Sequence, residues 1–285
     1  MSIHRETALN EAATVRQRQL AVEMRALRGA LTAEAVQAAT GISPSKLSRI
    51  ESASVRLHEQ DALQLATLYK LGSQQTAQLL ARVREARDPS ILKEFAGHDW
   101  TQALRGHLEL EADATRIDSF TIDLVPGLLQ IREYCRALIT DRPDIDNETI
   151  NRRLAFRAAR QRRVQSGELE LWAIIDESAL YREVGGPATL VEQLVALLDA
   201  PSNVTVQILP WSAGSHASIG TAFHLFQFQR WPAVVYQEAL REGLYYIAED
   251  VVEEHARILN ATRAAALSPR DSRARIGERL TRLRE

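Results

Sequence analysis

Residues 32–51, TAEAVQAATGISPSKLSRIE, constrain the fold more than any other stretch of the chain. Ser43-Pro44 is a helix start. Serine caps free N–H groups of the first turn, and proline at the first helical position gives up only an N–H that lacks a partner anyway. A helix is therefore predicted from about Pro44. Before it, Gly41-Ile42 interrupts an apolar-periodic run, and glycine supplies the positive dihedral that a tight turn between helices needs. The result is two short helices joined by a bend. On the second, Leu47 and Ile50 sit three apart on the buried face, while Ser45, Lys46, Ser48 and Arg49 point elsewhere.

That outer face is rich in hydrogen-bond donors. Arginine and lysine donate to guanine O6 and N7, and serine reaches bases or phosphates. A helix start adds N–H groups and a positive dipole end for phosphate. Ser45, Lys46 and Arg49 are thus candidates for base edges in a DNA groove, and Thr32, Ser43 and Arg56 for phosphates. The same local pattern also suits a helical hairpin in which Lys46 and Arg49 form an ordinary solvated face. The flanks favour the first reading. Leu20, Met24 and Leu27 place a helix in front of the pair, Leu63, Leu65, Ala66, Leu68 and Tyr69 place one behind it, and SQQTAQLLARVREAR adds another.

Five short helices in residues 1–87 resemble the repressor-like helix-turn-helix family typified by the phage repressors and Cro proteins. In that family the motif occupies the second and third of about five helices, and the closing Arg49-Ile50-Glu51 is characteristic of it. The resemblance implies that Glu51 pairs with an arginine on the first helix, the position Arg28 most nearly matches. Three features depart from the family pattern. Gln37 stands where a small residue is usual, Thr40 where an apolar one is usual, and the link from Arg28 to Thr32 is about two residues short.

The chain has 285 residues, 45% hydrophobic and 25% charged, which is enough for two domains with real cores. No apolar run approaches the roughly 20 residues needed to span a bilayer, and the first twenty residues hold no signal-peptide core. A cytoplasmic protein with no membrane partner is expected. Its one cysteine, Cys135, excludes an intramolecular disulfide and a zinc site of several thiolates, and is expected to be a small buried hydrophobe. The formal charge of -2 divides unevenly: +4 in residues 1–87 and -6 in residues 88–285. The positive share lies with the motif, so modest non-specific affinity for DNA and a marked salt dependence follow.

From Asp88-Pro89-Ser90 onward the texture changes, and a second domain, 88–285, is predicted to begin there. Helices are expected over 101–118, 128–138 and 151–164, the last with Arg153, Arg157 and Arg160 on one face and alanines 155, 158 and 159 turned inward. Strands are expected over 169–175, 204–209, 223–228 and 233–239, the last two forming an antiparallel hairpin. TLVEQLVALLDA lies between the first two strands, and helices over 249–267 and after Ser268-Pro269 close the chain. The domain reads as α+β, with a small, mainly antiparallel sheet.

LELEADATRIDSFTIDLVPGLLQIREYCRALI, DESALYREVGG, EQLVALLDAPSNVTVQILPWSAGSHAS and ALSPRDS, in that order, resemble the uncharacterised C-terminal domain of the WhiJ-like regulators of filamentous actinobacteria. That resemblance implies a transcription regulator acting on a double-stranded DNA operator, with a second domain that receives a small-molecule ligand or a small-protein signal. The alternative is an antitoxin-like interaction protein that holds a small partner and regulates its own expression. A homodimer is expected, because half-sites about one helical turn apart double the base contacts of one module. Catalysis is not expected. Asp176-Glu177 could serve acid–base chemistry, yet acidic residues are equally favoured at the start of a following helix. His216, in the loop WSAGSHASI, is a candidate for ligand contact or a solvated loop residue. Trp172, Phe223, Phe226 and Phe228 read as core. No nucleotide-binding loop and no spaced histidine pair is present, so neither a cofactor nor a metal is expected.

Overall fold

The computed structural model describes residues 13–86, 102–141, 145–238 and 243–285. It opens with α1 (Val15–Arg28), α2 (Ala33–Thr40), α3 (Pro44–Glu51), α4 (Glu59–Leu68) and α5 (Ser73–Glu85). Caps set their starts. The Thr14 hydroxyl accepts from the Gln17 N–H while the Gln17 side chain accepts from the Thr14 N–H, a reciprocal capping box. Thr32 caps α2 and Ser43 caps α3, accepting from the N–H groups of Ala35 and Lys46 at 3.2 and 3.3 Å. Gly41 ends α2 at φ +76°, the left-handed dihedral expected of it. Leu20, Met24, Val36, Ile42, Leu47, Ile50, Leu65, Leu79 and Val83 form the core between these helices.

The chain divides into two compact units. The first takes these five helices, α6 (Gln102–Asp113), and residues 228–234 and 243–249. The joint expected at Asp88-Pro89-Ser90 lies outside the described residues. Within this unit Trp231, 8% exposed, belongs to the same hydrophobic cluster as Leu20 and Met24. Its indole Nε1 donates to Glu85 Oε2 at 2.9 Å, and Gln19 Nε2 donates to the carbonyl of Pro232 at 2.9 Å. The Arg16 guanidinium lies 4.3 Å from the Phe228 ring centre and 4.6 Å from that of Trp231, with Asp113 holding it at 2.6 Å. Burial opposes the charge on Arg16, and the carboxylate of Asp113 offsets part of that cost.

The remaining elements are β1 (Arg116–Thr121), α7 (Arg132–Thr140), α8 (Asn147–Gln165), β2 (Glu170–Asp176), α9 (Pro187–Leu198), β3 (Val204–Leu209), β4 (Phe223–Gln227), β5 (Val234–Glu238), β6 (Gly243–Tyr246), α10 (Glu249–Ala265) and α11 (Pro269–Arg284). The six strands form one sheet in the order β3-β2-β1-β4-β5-β6. β1 pairs parallel with β2, as does β2 with β3, whereas β1 and β4 are antiparallel. The links from β4 to β5 and from β5 to β6 are far shorter than the dozen or so residues a parallel crossover needs, so antiparallel pairs predominate. The α+β class expected of this region holds. On one face Ala173, Ile175 and Ile208 pack with Leu190, Leu194 and Leu197 of α9 and Ile276 and Leu280 of α11. On the other, Phe120 meets His216 and Phe223 meets His255 edge-on, at 5.6 and 5.3 Å between ring centres.

Two expectations are corrected. The helix expected over 101–118 stops at Asp113, and the chain enters β1, a central strand, at Arg116. β1 carries a buried carboxylate, Asp118, where a strand pattern calls for an apolar residue. The second correction concerns α8, which is turned the other way from expectation: Ala155 and Ala158 are exposed, and Arg153, Arg157 and Arg160 are half-buried. The buried stripe of α8 is Ile150, Leu154, Phe156 and Val164, and the arginine stems lie along its edge, with Arg160 5.7 Å from the Phe156 ring centre.

Candidate nucleic-acid interface

α3 is short, capped and amphipathic, and its orientation follows from two side chains. Leu47 and Ile50, 1% and 2% exposed, fix its inner face in the helical core. Ser45, Ser48 and Arg49 are consequently exposed along the outer face. Arg49 Nε lies 3.4 Å from the carbonyl of Ser45, a long contact that leaves the guanidinium tip at the surface. Thr32 and Ser43 are exposed at the starts of α2 and α3. Each hydroxyl accepts one capping hydrogen bond, which leaves its proton available to donate to a phosphate oxygen. Arg56 is exposed in the loop after α3.

Lys46 is placed differently from its neighbours. Its Nζ donates to Asp61 Oδ1 on α4 at 2.6 Å, and the Asp61 side chain is only 9% exposed. Nothing in the spacing of residues 46 and 61 announced this pair, although an acidic residue amid the apolar periodicity of 59–71 was the available signal.

The ion pair implied between Glu51 and Arg28 is present and two-pronged. Arg28 Nε and Nη2 donate to the two Glu51 carboxylate oxygens at 2.6 and 3.0 Å. Arg28 also donates from Nη1 to the carbonyl of Leu31 at 2.8 Å, which closes the short link before α2. The hydrogen bonds to Glu51 raise the Arg28 pKa, and burial pushes the nearby Tyr69 up to about 12. Thr40 in turn satisfies the bend: its hydroxyl donates to the Val36 carbonyl at 2.7 Å and accepts from the Ile42 N–H at 3.2 Å. Lysine cannot reproduce the planar fork, so Arg28→Lys is expected to lower stability by about 1–2 kcal/mol, seen as a lower urea midpoint.

The other candidates are accounted for by local structure. Asp176 Oδ1 accepts from the Ser178 N–H at 2.9 Å and caps a single 3-10 turn, Glu177–Leu180. Glu177 is buried, accepts from the Trp211 N–H at 2.9 Å and pairs with Arg275 at 2.6 Å. The two carboxylates thus hold different partners and converge on no shared point. His216 is half-buried against Phe120. Cys135 is buried with Ile139, Ile150 and Leu154, as expected of it. Phe223 and Phe226 are core, whereas Trp172 is half-exposed beneath the Arg263 guanidinium, 4.2 Å from its ring centre. Among the described residues no group of histidine, cysteine and acidic side chains is arranged to hold a metal, and no helix is long and apolar enough to cross a membrane.

Comparison with known families matches these two textures. A helix-turn-helix domain family matches residues 19–80, enclosing α2 and α3. The family described as a domain of unknown function (DUF5753) matches residues 104–278, more than half of the chain. The chain belongs to the DUF5753 family. In this DUF5753 protein the matched region includes Trp231, which the structure builds into the core beside α1. Comparison with curated proteins and with solved structures found no significant match.

Proposed function

We propose that the protein is a sequence-specific DNA-binding transcription regulator of the repressor-like type, with α3 lying in the major groove. One observation carries this reading: a capped helix anchored by Leu47 and Ile50 that presents Ser45, Ser48 and Arg49 outward beside two further capping hydroxyls. Arg49 and Ser45 take base edges, and Thr32, Ser43 and Arg56 take phosphates. Lys46, whose residue type also suits a base edge, starts from its contact with Asp61. Two copies bind as a dimer to half-sites about one helical turn apart. The second unit takes the input, a small molecule or a small protein as in the WhiJ-like regulators it resembles. Supporting that role, Trp211 is 58% exposed there and stacked on Tyr181 at 4.8 Å, a residue type enriched in recognition surfaces.

The test is recovery of bound duplexes by the purified full chain from a pool of random sequence. A shared motif repeated at a spacing near one helical turn is expected, and an unenriched pool after several rounds contradicts the reading. On the recovered duplex, Arg49→Ala is expected to cost about 1–3 kcal/mol of binding and to relax preference at one base position. Titration by fluorescence anisotropy measures it.

A further inference from the structure

We propose that Asp61 sets the affinity and salt dependence of the DNA-binding surface, acting by holding the Lys46 ammonium on the protein and away from phosphate. The inference rests on the reading of α3 as the groove-facing helix. Asp61 sits in the first turn of α4, where the helix start favours a negative charge. Its carboxylate is 9% exposed, and Oδ1 is bound to Lys46 Nζ at 2.6 Å. The other oxygen, Oδ2, is buried with no hydrogen-bond partner. Lys46 is therefore the cation on which this carboxylate depends.

A contact between Lys46 and phosphate would strand that buried charge, so the exchange is unfavourable even though the ammonium itself is 40% exposed. Arg49 is then the cation that the exposed outer face of α3 offers DNA. This matters because phosphate neutralisation supplies nearly all non-specific binding, whereas base contacts supply the discrimination. Holding back one ammonium lowers affinity for every duplex but leaves the Arg49 and Ser45 contacts in place. The ratio of specific to non-specific affinity is kept, while the absolute affinity and its salt dependence fall.

Three full-length variants test this on the selected duplex and on a scrambled one across a range of salt. Asp61→Asn, which keeps the side-chain shape and frees Lys46, is expected to bind the scrambled duplex more tightly. On both duplexes its slope of log K against log salt should steepen by about 0.9, the value of one added phosphate contact, with the specificity ratio unchanged. Lys46→Met should leave the wild-type slope unchanged, and the double variant should return to it. An unchanged slope in Asp61→Asn overturns the proposal, as does a shallower slope in Lys46→Met, which would mean that Lys46 already contacts phosphate. Equal weakening of Asp61→Asn on both duplexes with a lower Tm also overturns it, in favour of a purely structural pair. Should Asp61→Asn fail to fold, the Lys46→Met slope decides. Wild-type protein that binds neither duplex fails the DNA-binding reading itself, an outcome distinct from all of these.

Discussion

Trp231→Ala is expected to cost about 3–5 kcal/mol of stability, the usual range for deleting a buried tryptophan. The residue combines three losses in one side chain. Its ring is 8% exposed in the cluster that contains Leu20, Met24, Val83 and Ala86, so truncation leaves a cavity in the helical core. Its Nε1–H is the donor to Glu85 Oε2 at 2.9 Å, and removal takes that donor away while Arg230 stays on the other oxygen, Oε1, at 2.8 Å. Its face also lies 4.6 Å from the Arg16 guanidinium, which is buried and relies on aromatic neighbours as well as on Asp113. Circular dichroism during urea unfolding measures the effect. Trp231→Phe, which keeps most of the volume, should lose markedly less. A loss under about 1 kcal/mol for the alanine variant would mean that the segment 228–234 rests on the core without stabilising it, against the range for buried aromatics. Because α1 packs on α3 through this core, the alanine variant should also bind the selected duplex more weakly than wild type.

Asp118→Ala is expected to be as damaging, about 3–5 kcal/mol, because it removes one partner from a buried charge network. The carboxylate of Asp118 is 4% exposed and accepts from Arg116 at 2.8 and 3.0 Å, from Arg263 at 2.9 Å and from Gln227 at 2.7 Å. Those bonds join β1 to β4 and to α10, on the sheet face where Arg263 also covers Trp172. Alanine leaves two guanidinium groups facing each other across the vacated position. Asp118→Asn keeps the shape and part of the hydrogen bonding, so the difference between the two variants isolates the charge. Equal Tm values for Asp118→Ala and wild type would show that solvent and Glu170 compensate fully.

The same residue explains what the sequence could and could not reveal. Sequence patterning marks β2, β3, β4 and β5 because apolar and β-branched side chains dominate them, and it marks the start of α3 because Ser43-Pro44 is a local signal. β1 carries RIDSFT, whose buried Asp118 looks like a solvent-facing residue until Arg263 and Gln227 are brought up from distant parts of the chain to join Arg116 of the same strand around it. α8 was turned wrongly for a related reason. Its alanines look inward-facing by type, but Phe156 and Leu154 take the buried side and the arginine stems lie along the edge. At the proposed DNA-facing surface, the exposed positions of Thr32, Ser43, Ser45, Arg49 and Arg56 could be named in advance, since capping and periodicity are local properties. That Asp61 holds Lys46 was beyond the sequence, because it depends on how α4 lies against α3's flank, although an acidic residue amid apolar positions marked Asp61 as unusual. Trp231 was likewise out of reach: nothing in residues 228–234 announces that they complete a core begun some two hundred positions earlier.

The central claim is that the outer face of α3 enters the DNA groove, and affinity cleavage tests it most directly. Ser54→Cys places a thiol on an exposed residue just past α3, and the native Cys135 is buried at 1% exposure, so an iron chelate can be attached selectively. The account predicts cuts confined to a few base pairs around each selected half-site, on both strands. Uniform cutting along the duplex, or cuts only outside the selected motif, would contradict it.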